Sequence, residues 1–129
     1  MTGSPLLDTN IVIAVFDQEP RVVEALNQAD DLLIPCIAVG ELYWGAYKST
    51  RTEENVARIE NFIEGVAILP CDAETGRLYG LIKNQLRIKG RLIPENDIWI
   101  AALARQHGMT LITRDIHFQE VDNLSIEVW

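Results

Sequence analysis

The chain has 129 residues, 48% hydrophobic and 23% charged, which is the balance of one soluble globular domain over residues 1–129 with enough length for a core. Its 19 acidic residues outweigh 11 basic ones, and the net charge of −8 excludes a broad, sequence-blind nucleic-acid binder, which needs a basic footprint. That charge leaves room for an enzyme that meets nucleic acid at a small acidic site, where a bound cation reverses the local sign. No apolar run approaches the roughly 20 residues that cross a bilayer. The start, Met1 to Pro5, lacks the basic stretch of a signal peptide. Cys36 and Cys71 form no metal-type or extracellular pattern and read as reduced, buried thiols of a cytoplasmic protein. With His107 and His117 as the remaining soft ligands, zinc has no support.

In chain order, Leu6-Leu7 reads as a central strand that delivers Asp8, and Thr9 or Asn10 is expected to cap a helix from Ile11 to Phe16. Pro20 opens a second helix, Arg21 to Gln28. Leu32 to Ile34 is a buried strand ended by Pro35, and the apolar run Ile37 to Tyr47, with Gly40 and Gly45, reads as a helix packed closely on both sides. Thr52 or Glu53 begins a helix with Val56, Ile59, Phe62 and Ile63 inward; Ala67 to Leu69 is a third strand. Asp72 caps a long helix to about Lys89, with Leu78, Leu81, Ile82 and Leu86 at helical spacing, and Gly90 stops it. Pro94 suits a helix entry, Asn96 or Asp97 is a candidate cap, and Ile98, Ala101, Ala102 and Arg105 follow on one face up to Gly108. Thr110 to Thr113 is a fourth strand delivering Arg114-Asp115, Ile116 to Gln119 is one turn, and Ser125 to Val128 is an edge strand. Short apolar strands alternating with helices predict an α/β fold, a mostly parallel sheet with helices on both faces. In such sheets ligands bind beyond the carboxyl ends of the strands.

Asp8 and Asp115 both follow predicted strand ends, Asp97 sits at a helix start, and Glu41 interrupts an otherwise apolar helix. Burying Glu41 unpaired would cost several kcal/mol, roughly, so it needs a cation, a partner or a wet pocket; the plain alternative is a solvent or interface stripe with Gly40 and Trp44. Asp97 likewise has a plain reading as a cap. Four acids at special positions, with Arg114 the one basic neighbour, favour a hard divalent ion such as Mg²⁺. Such an ion serves the hydrolysis of a phosphodiester. Thr9, Asn10 and Thr113 are candidates to orient the carboxylates. No phosphate-binding glycine loop, serine nucleophile elbow or H-E-x-x-H is present.

Leu6-Leu7-Asp8-Thr9-Asn10, the Glu41 helix, Asn96 to Ala102, Leu111 to Asp115 and His117-Phe118 together resemble a PIN domain, and within PIN domains the VapC toxins of toxin–antitoxin pairs. The resemblance runs from about Leu6 to Trp129. It implies a three-layer α/β/α sandwich and a Mg²⁺- or Mn²⁺-dependent endoribonuclease acting on RNA. It further implies metal-binding and catalytic roles for Asp8, Glu41, Asp97 and Asp115, a homodimer, and silencing by a cognate VapB-type antitoxin. Arg114 and Ile116 flank Asp115 where some members carry a further acid, so the choice between one and two metals stays open.

Arg87, Lys89 and Arg91 are candidates to hold RNA phosphates, or else a solvated helix end. Trp44, Tyr43 and Tyr47 read first as core and second as an interface. His107 reads as a helix-end cap, His117 as part of the turn with Phe118 rather than a base, and Glu95 as a neighbour of the site. Two other classes compete: a catalytically silent PIN-like binding module, and a phosphoacceptor domain, which would want an acidic pair after the first strand and a late lysine.

Overall fold

The computed structural model describes Gly3–Trp129; Met1 and Thr2, the start of the segment read as lacking a leader, lie outside the described residues. Five short strands, β1 (Pro5–Leu7), β2 (Leu33–Pro35), β3 (Ala67–Leu69), β4 (Thr110–Ile112) and β5 (Ser125–Glu127), form one sheet in the order β3-β2-β1-β4-β5. Every pairing is parallel. Six helices connect and cover the strands: α1 (Thr9–Phe16), α2 (Pro20–Gln28), α3 (Cys36–Tyr47), α4 (Thr52–Glu64), α5 (Ala73–Lys89) and α6 (Glu95–Gln106). A 3-10 turn, Ile116–Glu120, follows β4.

Two adjacent residues of β1 explain the layers. Side chains alternate along a strand, so Leu6 and its register partner Leu111 point to one face while Leu7 and Ile112 point to the other. Leu6 and Leu111 join Leu78, Ile82, Leu86, Ile98, Leu103 and Phe118 beneath α5 and α6. Leu7 and Ile112 join Ile11, Val12, Val22, Ile34, Leu42 and Ile59 beneath α1 to α4. This is the α/β/α sandwich expected from the alternation of elements.

Several local expectations are corrected. Asp8, not Thr9 or Asn10, caps α1: its carboxylate accepts the Thr9 N–H at 2.8 Å, so the helix starts two residues early. Neither Asn96 nor Asp97 caps α6; the Pro94 carbonyl accepts from both Asp97 and Ile98, which leaves the Asp97 side chain free for the site. Helix α3 is not packed on both sides. It seats Ala38, Leu42 and Ala46 on the core, one helical turn apart, and a Cβ at Gly40 or Gly45 would meet open space. Trp44 and Tyr47 on its other side are 65% and 62% exposed, so they are surface rather than core. Leu81 is also exposed, because α5 turns Leu78, Ile82 and Leu86 inward and Leu81 lies off that stripe. Strand β3, the third short strand expected, lies at the sheet edge with Ala67 and Ile68 exposed and Leu69 half-buried. The cysteines are not separate buried thiols: Cys36 is half-buried, Cys71 is exposed, and their sulfurs lie 3.7 Å apart.

Helix ends follow expectation more closely. Asp72 and Thr75 form a reciprocal capping box at the start of α5, and Gly90 ends it in the left-handed region at φ 70°. Gly3 is required by close approach, since a Cβ there would lie 1.9 Å from the Gly108 carbonyl oxygen. The separation of Ile82 from Leu81 is testable by urea unfolding: Ile82→Ala is expected to cost about 2–5 kcal/mol and Leu81→Ala less than about 1 kcal/mol.

Candidate active site

The site lies at the carboxyl ends of the two central strands. Chain leaving β1 supplies Asp8, whose N–H still bonds the Ile112 carbonyl at 2.9 Å and so continues the ladder with β4. Chain leaving β4 supplies Thr113 and then Asp115. The Thr113 hydroxyl donates to Asp8 Oδ2 at 2.7 Å and accepts the Asp115 N–H at 3.0 Å, which ties the two strand ends together through one side chain. Helix α6 brings Asp97 from its first turn, and α3 brings Glu41 from its middle. The Thr9 hydroxyl donates to Glu41 Oε1 at 2.7 Å, and Asn96 Nδ2 reaches Glu41 Oε2 at 3.5 Å. Asp8, Glu41, Asp97 and Asp115 thus line one open hollow of about 580 Å³, together with Thr9, Asn10, Ile13, Glu95, Asn96 and His117. The four candidate carboxylates converge, and Thr9, Asn10 and Thr113 sit against them.

His117 is closer to this chemistry than its sequence reading suggested. It follows Asp115 by two residues on the 3-10 turn, and its Nε2 lies 2.6 Å from Asp97 Oδ2 and 3.9 Å from Asp115 Oδ2. Its ring also lies beside that of Phe118, centroid to centroid 5.1 Å. The signal available in the sequence was its spacing from Asp115; the contact with Asp97 depends on how α6 crosses the sheet.

No lysine or arginine lines the hollow among the described residues. Arg114, the basic neighbour of Asp115, is turned away and grips Glu19 with two nitrogens at 2.7 and 3.1 Å, holding the Glu19 carboxyl below its ordinary range. Glu95 is engaged by Lys83 and the Tyr79 hydroxyl. Arg87, Lys89 and Arg91 lie outside the hollow: Lys89 binds the Glu120 carbonyl and Asp122, and Arg87 binds Asn84.

Carboxylates crowded this way resist ionisation. Burial raises the Asp8 carboxyl to about 6, aided by the charges of Asp97 and Asp115 and opposed by the bonds from Thr113 and Thr9. Burial also raises Asp97, with His117 pulling the other way and Asp115 and Glu41 adding to the rise. This donor set fits a hard divalent cation: oxygen ligands, unbalanced negative charge and a solvent-open mouth. Asp97, Asp115 and His117 each place a ligand atom within 4.8 Å of the others. The Asn10 side-chain oxygen is buried without a partner beside them.

A PIN-domain family model matches residues 6–124. The chain is 41% identical over 127 residues, 96% of each chain, to the Haemophilus influenzae protein Ribonuclease VapC2. It is 34% identical over 128 residues, again 96% of each chain, to the tRNA(fMet)-specific endonuclease VapC of Shigella flexneri. Among solved structures, the DNA-bound VapBC of Salmonella typhimurium superposes with a TM-score of 0.92 at 28% identity, over 99% of both chains. The chain therefore belongs to the PIN-domain family, among its VapC ribonucleases.

The raised Asp8 carboxyl sets a pH dependence for the metal-free protein. Its folded value, about 6, lies above the ordinary 3.8, so between these values the native state holds the extra proton and stability falls as pH rises. Above pH 6 the ionised form carries a penalty on the order of 2–3 kcal/mol. Metal-free Asp8→Asn is expected to be more stable than the parent at pH 8, with the difference shrinking towards pH 4, as read by urea unfolding across pH.

Proposed function

We propose that this chain is a divalent-metal-dependent endoribonuclease, the toxin of a type II toxin–antitoxin pair, that hydrolyses RNA phosphodiester bonds at the Asp8–Glu41–Asp97–Asp115 hollow. One observation carries this reading: Asp8, Glu41, Asp97 and Asp115, from four separate parts of the chain, share a single cavity that no lysine or arginine lines among the described residues. The ion, Mg²⁺ or Mn²⁺, would be held by Asp8, Asp97 and Asp115, with Glu41 completing the negative set. When bound, a divalent ion supplies positive charge that activates water and offsets charge building on the phosphodiester.

The chain's own residues account for the remaining needs. Thr113 keeps Asp8 aimed and couples it to the Asp115 backbone, so the ligand atoms need no rearrangement. Thr9 and Asn96 fix the two oxygens of Glu41 at the mouth of the hollow, where a water nucleophile is oriented and its proton taken. His117 steadies Asp97 through the contact of its Nε2 with Asp97 Oδ2. Burial makes the ionised forms of Asp8 and Asp97 unfavourable alone, and a bound cation would offset that cost. RNA beyond the hollow is gripped by exposed Arg87 and Arg91 at the end of α5, with Lys89 nearby.

The S. flexneri relative is named for specificity towards tRNA(fMet), and the S. typhimurium structure is a DNA-bound VapBC; these support a structured RNA substrate and a VapB-type antitoxin here. The working unit is a homodimer in the cytoplasm, and exposed Trp44, Tyr47 and Ile13 offer apolar surface for protein partners. Among the described residues no helix is long and apolar enough to cross a membrane.

Purified free of any partner, the protein is expected to cut structured RNA with Mg²⁺ or Mn²⁺ and to stop with EDTA. Asp97→Asn and Asp8→Asn are each expected to lower the rate by at least about 100-fold while folding normally by circular dichroism. Full-rate cleavage by both variants would exclude this site, and a folded parent that cuts no RNA with either metal would favour a silent binding module.

A further inference from the structure

Cys36 and Cys71 are brought together by the register of the sheet. Strands β2 and β3 run parallel with Pro35 opposite Leu69, and Cys36 follows the first while Cys71 stands two residues beyond the second. Paired strands lie about 4.8 Å apart, and a disulfide accepts Cα separations of roughly 4.4–6.8 Å, so two cysteines leaving neighbouring strand ends meet the backbone requirement. The sulfurs already touch at 3.7 Å, and one of them faces solvent. Closing to the ~2.05 Å of a disulfide needs side-chain rotation rather than a new fold.

We propose that Cys36 and Cys71 are a reversible oxidation site, forming an intramolecular disulfide that clamps the start of α3 to the segment entering α5. These two helices otherwise share no substantial interface. Neither cysteine lines the acidic hollow, so the inference stands apart from the nuclease reading. Paired thiols within reach of each other in a protein without an extracellular pattern fit a redox-sensing role better than a permanent crosslink.

The chemistry needs a two-electron oxidant, here a peroxide. Burial, with Cys36 and Asp72 beside it, pushes the Cys71 thiol up to about 11, so Cys71 stays protonated and is the second to react. Cys36, at the start of α3, is the thiol that meets the oxidant first. Its sulfur attacks the peroxide O–O bond to give a sulfenic acid, with water leaving. The Cys71 sulfur then attacks the Cys36 sulfur, the S–O bond breaks, and the departing hydroxide takes the Cys71 proton as a second water. Both thiols are oxidised, one peroxide is reduced, and dithiothreitol reverses the product.

The bond joins residues 35 positions apart, which restricts the unfolded chain. The full-length protein is treated with a small excess of hydrogen peroxide, alkylated with N-ethylmaleimide and analysed by intact mass and peptide mapping. The expected product has lost two hydrogen atoms, takes up no maleimide, runs as a single chain without reductant and yields one linked Cys36–Cys71 peptide. Its Tm is expected to rise by about 10 °C and to return with dithiothreitol. Cys36→Ser and Cys71→Ser should match the reduced parent's Tm and show no rise. Sulfinic acids, two thiols still open to alkylation, or disulfides between chains would each overturn the proposal. So would an intramolecular bond that leaves Tm unchanged or lower. Peptide mapping of the parent decides the matter even where a serine variant fails to fold.

Discussion

The hydrogen bond from Thr113 to Asp8 is the constraint on which the site depends. It joins residues 105 positions apart in the chain and sits at the point where the two central strands end side by side. The same hydroxyl receives the Asp115 N–H, so one threonine sets the spacing of two acids that would otherwise repel. Asp8 contributes in two further ways, capping α1 and extending the strand ladder. A carboxylate committed to both its neighbours cannot turn away to solvent, and it therefore bears the burial that raises its protonation.

The rest of the fold supplies what that arrangement lacks. Asp97 reaches the hollow because the Pro94 carbonyl, not an Asp97 side-chain cap, satisfies the first turn of α6. Small residues at Ala101, Ala102 and Ala104 are fully or almost fully buried, so α6 lies close to both the sheet and α5. Pairing with Glu19 occupies Arg114, the basic sequence neighbour of Asp115. A hollow lined by five carboxylates, Glu95 included, and by no lysine or arginine among the described residues suits a divalent cation. The strong net negative charge is thus compatible with action on RNA, because a cation held by these acids would reverse the local sign.

Much of this architecture was legible in the chain. Pro20, Pro94, Asp72, Gly90 and Gly108 marked helix ends to within a residue or two, because capping and left-handed turns are local events. Short apolar runs such as Leu6-Leu7 and Thr110-Leu111-Ile112 marked buried parallel strands for the same reason. Errors arose where an apolar residue has two possible faces. Leu81, Trp44 and Tyr47 carry core-like side chains yet point outward, since a helix buries one stripe and its phase is set by what it packs on. Gly40 and Gly45 suggested close packing, but they border open space.

The residue types at strand and helix ends, and with them the suspicion of four cooperating acids, come from local chemistry and can be read without coordinates. Their meeting cannot, because the β3-β2-β1-β4-β5 order places β1 beside β4 across most of the chain, and no short-range pattern encodes that pairing. The same long-range register brings His117 to Asp97 and Cys36 to Cys71. Periodicity reports what each segment prefers, whereas distances between segments follow from how the whole sheet and its two helical layers close on a common core.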